Sequence, residues 1–71
     1  MSKEIVAPMP GTIINILVNV GDEILEYQEV LILEAMKMEN NIVAEKEGTV
    51  SAVHVSKDQK VLENELMIEL E

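Results

Sequence analysis

The residues of this chain that are best suited to chemistry lie at its midpoint, where Lys37 stands between Met36 and Met38. A lysine amine can accept a covalent group, form a Schiff base or act as a general base. The last two roles need burial or a second cation beside the amine, and Glu34-Ala35 on its N-terminal side supplies neither. An ordinary exposed lysine is the simplest alternative, because most lysines have that fate.

Other groups that could catalyse a reaction are few. The chain has no cysteine and one histidine, His54, which excludes a disulfide and a structural zinc site made from these ligands. No carboxylate, cysteine or second histidine lies near His54 in the sequence, so we expect an exposed strand residue without a partner. We predict that the chain has no catalytic residues and no metal site, and that it is not itself an enzyme.

Lys37 lies at the junction of two similar halves. When the sequence is shifted by 37 positions, eight of the 22 residues from 5 to 26 are identical to their counterparts. Beyond Glu26 a one-residue gap aligns Glu29–Ile32 with Glu65–Ile68. Each copy has too little apolar sequence to fold alone, so we expect the two copies to pack face to face around a shared core with pseudo-twofold symmetry.

Composition favours a single all-β domain over residues 1–71. The eight Ile and nine Val exceed the seven Leu, and β-branched residues favour strands. Five lysines against 14 acidic residues give a net charge of −9, which argues against nucleic acid as a partner and favours a soluble monomer. No apolar run reaches the roughly 20 residues of a membrane helix, and none resembles a signal peptide. We therefore expect a cytoplasmic protein that is not inserted into a membrane.

Short apolar runs separated by turn residues indicate where the strands lie. Strands are predicted at residues 5–7, 12–20, 30–36 and 38–44. In the second of these, the positions of Ile13 and Ile16 are apolar in both copies, so both should be core positions. Residues three apart lie on opposite faces of a regular strand, which predicts a bulge between them. Both should face the core, whereas Leu17 and His54 should face outward.

The runs on either side of Lys37 predict a hairpin with the lysine at its tip. Two-residue hairpin turns usually contain Asn-Gly, Asp-Gly or another glycine pair, and Met36-Lys37 contains neither. Where turn chemistry is overridden in this way, a functional cause is the first hypothesis. A lysine at an exposed tip can be reached by other enzymes, so the pattern favours an acceptor of a covalent group.

The segment Glu34-Ala35-Met36-Lys37-Met38-Glu39 resembles the attachment motif of biotin carboxyl carrier domains, in which the lysine between two methionines is biotinylated. Ala7-Pro8-Met9-Pro10-Gly11 resembles the opening segment of that family, and Val20-Gly21-Asp22 resembles its first turn. With the repeat, the resemblance covers nearly the whole chain. It implies a flattened barrel-sandwich hybrid of two pseudosymmetric four-stranded sheets, with the attachment lysine on the central hairpin.

The resemblance also implies a function. Biotin would be the covalent cofactor on Lys37, with Glu34, Ala35, Met36 and Met38 as the recognition motif. A biotin protein ligase would attach it, and the carrier would move a carboxyl group between the active sites of a biotin-dependent carboxylase, transcarboxylase or decarboxylase. The partners would be biotin carboxylase and carboxyltransferase, or decarboxylase, subunits.

Two alternatives stay open. Lipoyl carrier domains share the fold and the duplication but usually place an acidic residue before the lysine and alanine after it, so Met36 and Met38 favour biotin. A non-catalytic adaptor of the same fold predicts that Lys37→Ala leaves function intact. Relatives often have glycine where this chain has Tyr27 and Asn64, so we expect the turn geometry to differ there.

Overall fold

Residues 3–71, which the computed structural model describes, form eight strands and no helix that is long and apolar enough to cross a membrane. The strands are β1 Lys3–Val6, β2 Gly11–Ile16, β3 Glu23–Ile24, β4 Glu29–Ala35, β5 Met38–Val43, β6 Gly48–Val53, β7 Lys60–Val61 and β8 Leu66–Leu70. They pair in two antiparallel sheets of four strands, with the orders β1-β8-β6-β3 and β5-β4-β2-β7. The predicted all-β fold with two pseudosymmetric four-stranded sheets is confirmed. The domain predicted over 1–71 includes Met1 and Ser2, which lie outside the described residues.

The two copies are interleaved in the sheets. With an offset of 37 residues, strands β1 to β4 of the first copy correspond to strands β5 to β8 of the second. When each strand is replaced by its counterpart, the strand order of one sheet becomes the strand order of the other. Each sheet therefore contains two strands from each copy. The two copies share one core as expected, but they do not pack as one sheet against the other, because each sheet combines strands of both copies.

The register shows the predicted bulge in both copies. In β2, Ile13 pairs with Leu33 and Asn15 with Ile32, so two steps along β2 match one step along β4. The same shift occurs in β6, opposite β8. Ile13 is fully buried as a result, whereas Ile16 is half-buried at the edge of the core.

The predicted strand over 12–20 ends early, at Ile16. The chain turns after Leu17 because Asp22 Oδ2 accepts a hydrogen bond from the Asn19 amide at 2.8 Å, and the Asp22 amide donates to Asn19 O at 3.0 Å. Gly21 supplies the left-handed backbone of this turn, with φ 96°. Leu17 faces outward as predicted, with 43% of its surface exposed.

The offset of 37 residues continues to the end of the chain, so the predicted one-residue gap after Glu26 is wrong. The turn before β4 and the turn before β8 have the same length, because the Gln28 amide donates to Leu25 O and the Glu65 amide donates to Leu62 O, both at 3.1 Å. The apparent match of Glu29–Ile32 to Glu65–Ile68 is misleading because every register of two apolar strands gives similar pairs.

The core lies between the sheets and contains only aliphatic side chains and one methionine. Among the described residues no buried side chain is polar or charged. Among the described residues the core is therefore stabilised by the packing of apolar side chains. The core residues are Ile5, Ala7, Ile13, Val18, Ile24, Val30, Leu31, Leu33, Ala44, Val50, Val55, Val61, Met67, Ile68 and Leu70.

The described residues form an elongated body of 32 × 17 × 17 Å, and the central hairpin is the one that joins β4 to β5. Strand β5 leads the chain away from that hairpin to Gly48, where an added Cβ would be 2.8 Å from the Glu71 carbonyl oxygen. Lys37 and Glu71 therefore lie toward opposite ends.

Candidate functional site

The candidate site is the hairpin of β4 and β5, and its turn consists of Met36 and Lys37 alone. The ladder beneath the turn starts with the pair Ala35 and Met38 and continues with Glu34 opposite Glu39. Both turn residues have positive φ, 55° for Met36 and 65° for Lys37, which is the pattern of a type I′ turn. The predicted two-residue hairpin is confirmed, and its turn adopts the left-handed backbone that its residue types disfavour.

This backbone is strained. A left-handed conformation costs a residue other than glycine about 1–2 kcal/mol, and the turn contains two such residues in succession. Six residue pairs between β4 and β5 hold the hairpin closed against that cost. Strained backbone of this kind is concentrated at functional sites, where the surrounding structure enforces it.

The side chains around the turn are exposed, with one exception. Met36 is 90% exposed and Met38 66%, and Lys37 also projects into solvent. Ala35 is 7% exposed and closes the core below the tip. The single ion pair among residues 3–71 joins His54 to Glu69, so no carboxylate holds the Lys37 amine. The structure thus presents a primary amine between two thioethers at the end of the molecule.

Asn40 reinforces the hairpin and was missed by reasoning from the sequence. Its Nδ2 donates to Met38 O at 3.2 Å and to Leu33 O at 3.3 Å, so one side chain joins both strands behind the tip. Asparagine is uncommon within strands, and this unusual position was the available signal.

Gly11 brings β2 against the same hairpin. A Cβ at this position would lie 2.4 Å from the Glu34 carbonyl oxygen and 3.1 Å from the Leu33 side chain. Only glycine allows β2 to pass this close to β4, and the contact lies two residues before the turn. The close approach between the two strands therefore requires glycine at this position.

Two carboxylates stand directly below the tip. Glu34 and Glu39 are cross-strand partners, and both are exposed. Like charges in directly opposite positions destabilise a sheet, so the fold gains nothing from this pair. The same outer row continues through Thr12 to Lys60 on β7. The acidic pair places two exposed carboxylates beside the lysine of the turn.

His54 was the other residue considered for chemistry, and the structure gives it a partner. His54 Nε2 lies 2.6 Å from Glu69 Oε1, so the expectation that His54 lacks a partner is wrong. Strand pairing brings the two together from positions 15 residues apart, which sequence proximity did not reveal. Within residues 3–71 no three His, Asp or Glu side chains cluster as a metal site. A groove between edge strands β1 and β5 does not include Lys37.

Comparison with known proteins gives a consistent result. The model of a family described as biotin-requiring enzymes, which covers biotin and lipoyl attachment domains, matches residues 3–70. A biotin carboxyl carrier protein of Streptococcus mutans is 67% identical over 55 residues, which are 78% of this chain and 42% of that protein. The mitochondrial propionyl-CoA carboxylase alpha chain of Homo sapiens is 45% identical over 65 residues, which are 92% of this chain and 9% of that protein.

Solved structures agree on the fold. The urea carboxylase of Kluyveromyces lactis contains a region that matches 99% of this chain with a TM-score of 0.92 and 24% identity, and this region is 6% of that protein. The chain spans less than half the length of each of these relatives.

Proposed function

The chain belongs to the family of biotin and lipoyl attachment domains, and from this we propose that it is a biotin carboxyl carrier whose attachment residue is Lys37. The observation that carries the proposal is the exposed amine, held between Met36 and Met38 on a strained two-residue turn. An amine in this position fits the covalent attachment of biotin, because nothing around it obstructs an approaching enzyme or ties up its nitrogen.

The chain's part in attachment is nucleophilic. The Lys37 amine in its neutral form attacks the carboxyl carbon of activated biotin, an amide bond forms, the activating group leaves and the amine nitrogen loses a proton. Glu34 and Glu39 contribute negative charge beside the tip, which suits a basic surface on a biotin protein ligase. When attached, biotin supplies the ring nitrogen that accepts a carboxyl group.

After attachment, the chain acts by presentation. The hairpin holds the lysine at one end of a 32 Å body, while β1 and β8 bring both ends of the described chain together toward the other end. A cofactor tethered in this way visits separate active sites at a high local concentration without dissociating. The active sites belong to partner subunits or domains, namely a biotin carboxylase and a carboxyltransferase or decarboxylase. The chain itself supplies no catalytic group.

Met36 and Met38 support biotin as the cargo. The alternative lipoyl carriers usually have an acidic residue and an alanine at these positions, whereas this turn exposes two apolar thioethers. Their flexible side chains can adapt to the partner's surface without disturbing the sheet.

Transfer of labelled carboxyl groups tests this function. The chain is loaded by a biotin protein ligase, and a biotin carboxylase is then supplied with ATP and [¹⁴C]bicarbonate. We expect label on the wild type, none on Lys37→Arg, and normal label on Lys60→Arg, which changes another exposed lysine of the same sheet. A parallel sample receives lipoate and lipoate ligase. Loading with lipoate but not with biotin would identify a lipoyl carrier. If neither ligase loads the chain, the non-catalytic adaptor is the remaining alternative.

A further inference from the structure

We propose that Met36 and Met38 are a peroxide-sensitive modification site that controls loading of Lys37: their oxidation to methionine sulfoxide blocks attachment. This inference rests on the proposed function of Lys37 and assigns a separate chemistry to its two neighbours. It concerns the thioether sulfurs, which the attachment reaction does not use.

The exposure of the methionines supports this assignment. Met36 is 90% exposed and Met38 66%, whereas Met9 packs against the core and Met67 is completely buried. Oxidation by a small solvent oxidant follows exposure of the sulfur. The two methionines most open to a peroxide among residues 3–71 are therefore the two that flank the acceptor amine.

The oxidation step balances with a peroxide as the only co-reactant. A sulfur lone pair attacks one oxygen of hydrogen peroxide, an S–O bond forms and the O–O bond breaks, and the departing hydroxide removes the proton from the new S–OH group to give the sulfoxide and water. The sulfur loses two electrons and the peroxide gains them. A sulfoxide reductase that uses thiols reverses the change, because methionine sulfoxide is reducible.

Oxidation at this place changes the tip and leaves the fold intact. A sulfoxide is polar and chiral, so two of them replace the apolar surface on both sides of Lys37 with hydrogen-bond acceptors. Neither side chain belongs to the core, which relies on Met67 instead. The expected consequence is a loss of recognition by the ligase without a loss of stability.

The test uses the unloaded chain treated with increasing hydrogen peroxide. Among the methionines of residues 3–71, peptide mass spectrometry should find sulfoxide first at Met36 and Met38, then at Met9, and at Met67 only after unfolding. Loading by biotin protein ligase should fall about tenfold when both tip methionines are oxidised, because the apolar contacts beside the amine are lost. Treatment with methionine sulfoxide reductases A and B should restore loading, and the denaturation midpoint should not change.

Variants separate the tip from the other methionines. In Met36→Leu/Met38→Leu, loading after peroxide should equal loading of the same variant before peroxide. Met9→Leu should remain as sensitive as the wild type. Unchanged loading of a wild type that carries both sulfoxides would overturn the inference while leaving the proposed function in place. If the untreated wild type is not loaded at all, the proposed function fails and the inference fails with it.

Discussion

Substitution of Gly11 by alanine adds a single methyl group and tests how β2 supports the central hairpin. In Gly11→Ala the new Cβ would lie 2.4 Å from the Glu34 carbonyl oxygen. That carbonyl belongs to β4, which pairs with β2 on one side and β5 on the other, so it cannot retreat without disturbing a ladder. Overpacking of this kind costs about 1–3 kcal/mol. Alanine leaves the unfolded chain with fewer conformations than glycine does, which offsets about 0.4–1 kcal/mol of this destabilisation. We expect a net loss of about 1–2 kcal/mol.

Gly48→Ala is the symmetry-related control. Its Cβ would meet the Glu71 carbonyl oxygen at 2.8 Å, and the Glu71 backbone is held by two hydrogen bonds to Thr49, so this contact is also costly but is less close than the 2.4 Å contact at Gly11. We expect a smaller loss of stability than in Gly11→Ala. Urea unfolding followed by far-UV circular dichroism gives both values. The initial rate of biotin loading should fall in Gly11→Ala, because displacement of Glu34 moves the turn, and should be unchanged in Gly48→Ala.

The comparison between the two variants is decisive. If Gly48→Ala is destabilised as much as Gly11→Ala, the close approach of β2 to β4 does not make Gly11 more important for stability than Gly48. If Gly11→Ala loses stability but keeps the full loading rate, the hairpin does not depend on β2 for its geometry.

The remaining predictions concern strain, burial and the hairpin amide. Tyr27→Asn should raise the free energy of unfolding by about 0.5–1 kcal/mol in denaturant melts, because φ 65° is costly for tyrosine. Asn64→Tyr, at the symmetry-related φ of 70°, should lower it by a similar amount, and no change in either variant would contradict the inferred backbone strain. Ile13→Ala should cost about 2–5 kcal/mol and Leu17→Ala less than about 0.5 kcal/mol in the same assay, and equal losses would refute the assigned faces. Asn40→Ala should cost about 1 kcal/mol and slow biotin loading, whereas an unchanged loading rate would show that its two hydrogen bonds do not position the tip.

The duplication made most of the architecture predictable. The position of Ile13 is apolar in both copies and was predicted as core, and its spacing from Ile16 predicted the bulge. The interleaving of the copies could not be inferred, because strand order depends on pairing between distant segments. The register after Glu26 was equally hidden, since apolar strands match one another in several alignments.

The turn positions show how tertiary structure overrides residue type. Tyr27, Asp58 and Asn64 adopt positive φ although none is glycine. The Tyr27 amide donates to Ala44 O at 2.6 Å, and the Asn64 amide donates to Ala7 O at 2.7 Å. Equivalent hydrogen bonds in both copies therefore fix the same backbone, and the side chains tolerate it.

The position of Lys37 in a hairpin turn was predictable from the sequence, whereas the contacts that support the hairpin were not. Lys37 and its two methionines could be selected from their place at the repeat junction and from the absent turn glycine. The contacts of Asn40 and the close approach at Gly11 required coordinates, because both depend on which backbone carbonyls the register places opposite them.

Mapping of biotin on the chain tests the central claim most directly. The chain is coexpressed with a biotin protein ligase, its intact mass is measured, and the modified residue is located by peptide sequencing of a digest. We predict the mass of one biotinyl group, carried by Lys37 alone, and an unmodified mass for Lys37→Arg, whose guanidinium is a poor nucleophile. Biotin on another lysine, or on the Lys37→Arg variant, would contradict the assignment of Lys37 as the attachment residue.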